Sequence, residues 1–107
     1  MEVDALLVYD VGSLPGVCVI AFTGEIDTFN AVYFAEALVE PTAACVDVDL
    51  SDVTLLDSSG LRALVAAQRH ISYRNRKLRV VAASPVVRQV IESSGLSEQL
   101  FDPREAT

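Results

Sequence analysis

Residues 1–61 contain no lysine and no arginine. They carry eleven acids, whereas residues 62–107 hold all eight bases and only four acids, so −11 stands against +4 and the formal net charge is −7. Wrapping a nucleic acid requires a basic surface, so that role is excluded. Docking onto a basic protein surface fits better, because complementary charge mainly raises the association rate. Cysteine and histidine are also scarce: Cys18, Cys45 and His70 are all there are. With no C-x-x-C pair and a single histidine, neither a zinc site nor a thioredoxin-like couple can be assembled, and no metal or cofactor is expected. Both thiols fall in apolar runs and are expected to be buried and reduced.

Long apolar stretches are missing too. Runs such as Val17–Phe22 fall far short of the roughly 20 residues a membrane span needs. The N-terminus is acidic where a secretory signal would be basic. No Pro/Gly-rich linker or internal repeat divides the 107 residues, so one domain over 1–107, soluble and cytoplasmic, is expected.

What remains is an alternation of strand and helix signals. Residues 4–9 and 17–23 read as strands of a hairpin turned by Gly12-Ser13-Leu14-Pro15-Gly16. Asp27 or Thr28 can cap a helix running to about Val39, with Phe29, Val32, Ala35, Leu38 and Val39 as its apolar stripe. Cys45–Leu50 alternates as a third strand. A helix from about Ser59 to Tyr73 follows, with Leu61, Leu64, Val65, Gln68 and Ile71 on one side. Leu78–Ala83 is a fourth strand, Ser84-Pro85 opens a helix that Gly95 ends, and a short turn covers Glu98–Phe101. The order β-β-α-β-α-β-α implies an α/β fold whose mainly parallel sheet has an antiparallel edge. Sites in such sheets collect at the carboxyl ends of the strands.

One segment at that edge carries chemistry: Asp57-Ser58-Ser59-Gly60, between the third strand and its helix. A helix N-terminus has unpaired N–H groups and partial positive charge. A phosphoryl group on Ser58 could therefore meet the amides of Ser59, Gly60 and Leu61, with Gly60 leaving room for it. The plainer alternative is that Ser58 or Ser59 is only the N-cap. The chemistry of a serine hydrolase is not assembled. His70 lies roughly 15 Å or more along the helix from Ser58, and the Gly-x-Ser-x-Gly elbow is absent. Gly24-Glu25-Ile26-Asp27 brings two more acids toward the same edge, or simply forms a capping turn. Arg74-Asn75-Arg76-Lys77-x-Arg79, at the far end of that helix, reads as a solvated cluster complementing the helix dipole.

These segments together resemble the STAS domain, and within it the bacterial anti-sigma factor antagonists. The resemblance is carried by Gly24-Glu25-Ile26-Asp27, Asp49-Leu50-Ser51, Leu56-Asp57-Ser58-Ser59-Gly60-Leu61, Leu78-Arg79-Val80-Val81, Ser84-Pro85-Val86-Val87-Arg88 and Gly95-Leu96, in order over nearly the whole chain. It implies a STAS fold, a single four- to five-stranded mixed sheet with helices. It also implies a non-enzymatic protein, monomeric when free. Such a protein binds an anti-sigma factor that is also a GHKL-type serine kinase, and so frees a sigma factor. The kinase would phosphorylate Ser58 and be released, and a PPM-type phosphatase would reverse the step. Glu25, Asp27, Thr28, Asp57, Ser59, Gly60 and Leu61 become the partner-binding residues around Ser58. Two other readings are a STAS subunit clamped on the ATPase of a lipid-handling ABC transporter, without a phosphoryl switch, and a small-ligand sensor binding an anion at the helix N-terminus.

Overall fold

The computed structural model describes residues 7–105. Its elements are β1 (Val8–Leu14), β2 (Val17–Ile26), α1 (Ala31–Val39), β3 (Cys45–Leu56), α2 (Ser58–Ser72), β4 (Lys77–Ala83), α3 (Pro85–Ser93) and the short α4 (Ser97–Leu100). The expected element order is met, with α4 closing it. The sheet has four strands in the order β1-β2-β3-β4. β1 is antiparallel to β2, and the pairs β2–β3 and β3–β4 are parallel. A single parallel bridge from Val80 to Phe101 lays the C-terminal segment beside β4.

Alternation along the strands builds the core. Cys18, Ile20 and Phe22 of β2, Val46, Val48 and Leu50 of β3, and Leu78 and Val80 of β4 are all buried. Successive crossovers in one direction across a parallel sheet place α1 and α2 on the same face, where they pack side by side. Phe34 of α1 meets Phe22 edge-on with ring centroids 4.8 Å apart. Leu64, Ala67 and Ile71 of α2 close the same core.

Several boundaries differ from the sequence reading. The first strand runs from Val8 through Gly12, Ser13 and Leu14 rather than ending at residue 9, and residues 4–6 of that expectation lie outside the described residues. Only Pro15 and Gly16 turn the chain, Gly16 taking a φ of +76° that glycine adopts without strain. The third strand continues past Leu50 to Leu56. On α2 the buried side is Gly60, Leu64, Ala67 and Ile71, while Leu61, Val65 and Gln68 flank it half-buried.

The basic cluster is also less solvated than its composition suggests. Arg74 does donate to the His70 carbonyl at the end of α2 (3.1 Å), as a helix C-terminus favours. Arg76, however, donates to the carbonyls of Pro41 (2.9 Å) and Ala43 (3.1 Å). Arg79 bridges Asp47 (2.7 Å) and Asp102 (3.0 Å). Both thiols are free, but only Cys18 is fully buried; Cys45 is half-buried and donates to Asp47 Oδ1 (3.2 Å). Cys18 pairs with Val46 and Cys45 with Val17, so strand alternation turns the two thiols to opposite faces of the sheet.

The fold sets the carboxyl ends of β2 and β3 together: Ile26 pairs with Leu56, and Asp57 N–H donates to the Ile26 carbonyl (3.1 Å). The loops entering α1 and α2 therefore share one edge.

Candidate functional site

Asp57, not a serine, caps α2. Its backbone is extended (φ −92°, ψ −175°), and its Oδ1 accepts the Gly60 N–H at 2.9 Å. Aspartate competes well for this position because its carboxylate meets both the orphan amide and the helix dipole. Ser58 is thereby pushed to the first helical position, exposed, with an Oγ that makes no hydrogen bond among the described residues. Ser59 is half-buried, its Oγ 3.0 Å from Thr28 Oγ1, and this contact ties the start of α2 to the loop before α1.

Gly60 is buried for a reason unrelated to anion binding. A Cβ there would stand 2.7 Å from Ile26 Cγ2 and from Leu56 Cδ1, and 3.2 Å from the Ile26 carbonyl oxygen. The missing side chain lets α2 press against the ends of β2 and β3, and this replaces the expectation that it makes room for phosphate. The expected amide cradle changes as well. The Gly60 N–H is held by Asp57 Oδ1, and the Leu61 N–H by the Asp57 carbonyl at 2.9 Å. A phosphoryl group on Ser58 would find those two donors engaged and the Asp57 carboxylate as its neighbour. Its charge would stay on the exposed side of the turn.

The loop from β2 to α1 forms the other wall. Asp27 and Asn30 lock it reciprocally. Asn30 Oδ1 accepts the Asp27 N–H (2.9 Å), and the Asn30 N–H donates to the Asp27 carbonyl (3.2 Å). Asn30 Nδ2 donates to the Glu25 carbonyl (2.8 Å), while Asp27 Oδ1 accepts the Phe29 N–H (3.0 Å). Asp27 thus caps a turn, and α1 begins at Ala31, three residues later than a cap at Asp27 would start it. Asn30 was not among the expected site residues. The Asp-x-x-Asn spacing was its only signal, since each of those side chains can bond the other's backbone.

The edge brings Glu25, Asp27, Thr28, Asp57, Ser58, Ser59 and Gly60 together, while Leu61 lies half-buried one residue further along α2. His70 sits near the other end of α2. No cluster of three histidine, cysteine or acidic side chains suited to a metal occurs among the described residues. What the edge offers chemically is an exposed hydroxyl next to carboxylates that already accept backbone N–H groups, Asp57 from Gly60 and Asp27 from Phe29.

Beside it runs a feature that periodicity placed on the wrong side. Phe29 and Val32 were expected on the buried stripe of the first helix. Phe29 is instead 98% exposed and Val32 70%; Leu38 of the expected stripe is buried, and Phe34 and Ala37 join it in the core. Between α1 and α2 lies an open groove of about 460 Å³, walled by Val32, Ala35, Ala63 and Ala66 and reaching Ser59.

Residues 9–106 match the STAS domain family. The chain is 37% identical over 86 residues to the anti-sigma-F factor antagonist RsfB of Mycobacterium tuberculosis, a match covering 78% of this chain and 70% of that protein. Among solved structures, the crystal structure of an anti-sigma factor antagonist from Mycobacterium paratuberculosis superimposes with a TM-score of 0.80 at 28% identity. That match covers 99% of this chain and 95% of the other. The anti-sigma factor antagonist SpoIIAA in its unphosphorylated form shares the fold at a TM-score of 0.69 and 20% identity, covering 92% of both chains.

Proposed function

Because the chain belongs to the STAS domain family, we propose that it is an anti-sigma factor antagonist switched by phosphorylation of Ser58. Unphosphorylated, it binds an anti-sigma factor that is also a serine kinase of the GHKL type, and so releases a sigma factor. Phosphorylated, it lets go, and a PPM-type phosphatase resets it. The observation that carries this reading is Ser58 itself: an exposed hydroxyl at the first position of α2 with no hydrogen bond among the described residues. The helix can form without that hydroxyl, because Asp57 does the capping. A serine free of structural duty at the edge where sites collect is what a modification switch requires.

The direction of the switch follows from bulk at the contact together with charge placed against any acid of the partner. Phosphorylation adds about −1.5 to −2 charges at pH 7. The surrounding edge already holds Glu25, Asp27 and Asp57, and two of the three amides that could have neutralised the phosphate, those of Gly60 and Leu61, are engaged. A partner basic enough to dock here meets extra bulk at the contact, and any carboxylate of its own near Ser58 meets a like charge. One like-charge juxtaposition in an interface costs several kcal/mol, and about 1.4 kcal/mol is tenfold in affinity. Release is therefore local, with little movement of the backbone. Intact-mass spectrometry after incubation with Mg-ATP and the anti-sigma kinases of its own genome tests the proposal. One phosphate on the native protein and none on Ser58→Ala is the expected result. Stable complexes that never phosphorylate the protein would replace the switch with a constitutive clamp.

A further inference from the structure

We propose that Thr28 selects which of two adjacent serines is phosphorylated: by holding the Ser59 hydroxyl in a hydrogen bond, it leaves Ser58 as the phosphoacceptor. This rests on the function proposed above and assigns the choice of serine to a residue on a different element. Ser58 and Ser59 both stand in the first turn of α2, yet the fold treats them differently. Successive helical residues point roughly 100° apart, and here Ser58 is exposed while Ser59 is half-buried. The Ser59 Oγ lies 3.0 Å from Thr28 Oγ1, whereas the Ser58 Oγ makes no hydrogen bond among the described residues. Thr28 is itself well fixed. On one side of it the Asp27 N–H donates to Asn30 Oδ1 (2.9 Å), and on the other the Phe29 N–H donates to Asp27 Oδ1 (3.0 Å). The start of α2 is fixed as well, because Gly60 packs against Ile26 and Leu56. The two hydroxyls therefore meet across anchored segments, 31 residues apart in sequence.

Phosphoryl transfer makes that contact matter. The serine Oγ forms a bond to the γ-phosphorus of ATP, the bond from that phosphorus to the bridging oxygen of ADP breaks, and the hydroxyl proton passes to a base of the kinase. The attacking oxygen has to offer a lone pair in line with the leaving oxygen, and its proton to the base. If Ser59 donates to Thr28, its proton points away from any base of the kinase. If it accepts, a lone pair is occupied and the side chain has to turn out of the contact before it can attack. In either direction the Ser59 route gives up a hydrogen bond that the Ser58 route does not. A net hydrogen bond of this kind is equivalent to about three- to tenfold in rate. Thr28 is thus a positioning residue: it acts through Ser59 and does not touch the reacting atoms at Ser58.

The test is the ratio of phosphate on Ser59 to phosphate on Ser58, resolved by tandem mass spectrometry. It is measured on the full chain at low conversion, with Mg-ATP and the anti-sigma kinases of its own genome. The proteins compared are native, Thr28→Val, which keeps the shape and removes the hydroxyl, and Thr28→Ser, which keeps the hydroxyl. Both serines sit in the same complex, so any change in affinity for the kinase cancels from the ratio. The ratio is expected to rise about three- to tenfold in Thr28→Val and to return to the native value in Thr28→Ser. With Ser58 phosphorylated in the native protein, an unchanged ratio in Thr28→Val, or no phosphate on Ser59 in any of the three, would overturn the role of Thr28 and leave the switch standing. An equal rise in Thr28→Ser would overturn it too, because the shape of the loop and not the hydroxyl would then make the choice. A native protein that takes no phosphate on Ser58 from any of these kinases would fail the function proposed above, and the selection with it.

Discussion

Replacing Gly60 with alanine tests whether close packing, rather than room for an anion, fixes the glycine of the Asp-Ser-Ser-Gly turn. The added methyl would stand 2.7 Å from the side chains of Ile26 and Leu56. Both lie in the core, 0% and 4% exposed. The Ile26 carbonyl, 3.2 Å away, is held by the Asp57 N–H. Relief therefore requires α2 to lift at its first turn, stretching that bond and the Ser59–Thr28 contact. Overpacking of this kind costs about 1–3 kcal/mol. Alanine returns at most about 1 kcal/mol through its better helix propensity. The net expectation is a loss of about 1–2 kcal/mol. A domain of this size shifts about 4–8 °C in Tm per kcal/mol, and the loss should appear as a lower urea midpoint at unchanged slope. A midpoint equal to or above the native one would refute the packing argument and return Gly60 to the role of leaving space at the phosphoacceptor.

Asp57→Ala removes the cap of α2 and should cost about 1 kcal/mol, read from urea unfolding; Asp57→Asn, which can still accept the Gly60 N–H, should recover most of it. Asp102 is buried, and its carboxyl is held below the ordinary 3.8, chiefly by hydrogen bonds from the Arg104 side chain and then from its backbone N–H. Because its native pKa is the lower one, its contribution is present above the ordinary value and is lost as pH falls through the native value. Asp102→Asn should therefore flatten the fall in stability below pH ~4; an unchanged acid limb in chemical denaturation would count against this bridge.

Much of the architecture was legible because alternation on β2 and β3 and the helical spacing on α2 each had one consistent solution. The misreadings share a cause: a local signal with two solutions that only packing decides between. Around α1 the expected stripe Phe29, Val32, Ala35, Leu38, Val39 holds at Leu38, which is buried, but Phe34 and Ala37 share that side and displace Phe29 and Val32 from it. Phe34 won because Phe22 lies beneath it. At the start of α2, Asp57, Ser58 and Ser59 are all good caps; the carboxylate took the Gly60 amide and left Ser58 free. Before α1, Asp27 and Thr28 looked like caps, yet Asn30 bonds back to Asp27 and Glu25 and delays the helix. Gly12 and Ser13 read as turn residues but sit in an edge strand, whose outer side needs no partner strand. Arg76 and Arg79 looked solvated because their acceptors, the Pro41 and Ala43 carbonyls, Asp47 and Asp102, lie over twenty residues away in sequence. The position of Ser58 was legible, whereas its freedom from capping depends on which side chain wins the Gly60 amide in the folded chain.

On the proposed function, a phosphate on Ser58 ends partner binding through local charge and bulk. This is tested most directly by titrating the cognate anti-sigma factor with the native protein and with protein stoichiometrically phosphorylated on Ser58, in the same buffer. Binding should be at least about a hundredfold weaker after phosphorylation, the equivalent of one or two interfacial like-charge contacts. Equal affinities for the two forms would contradict it.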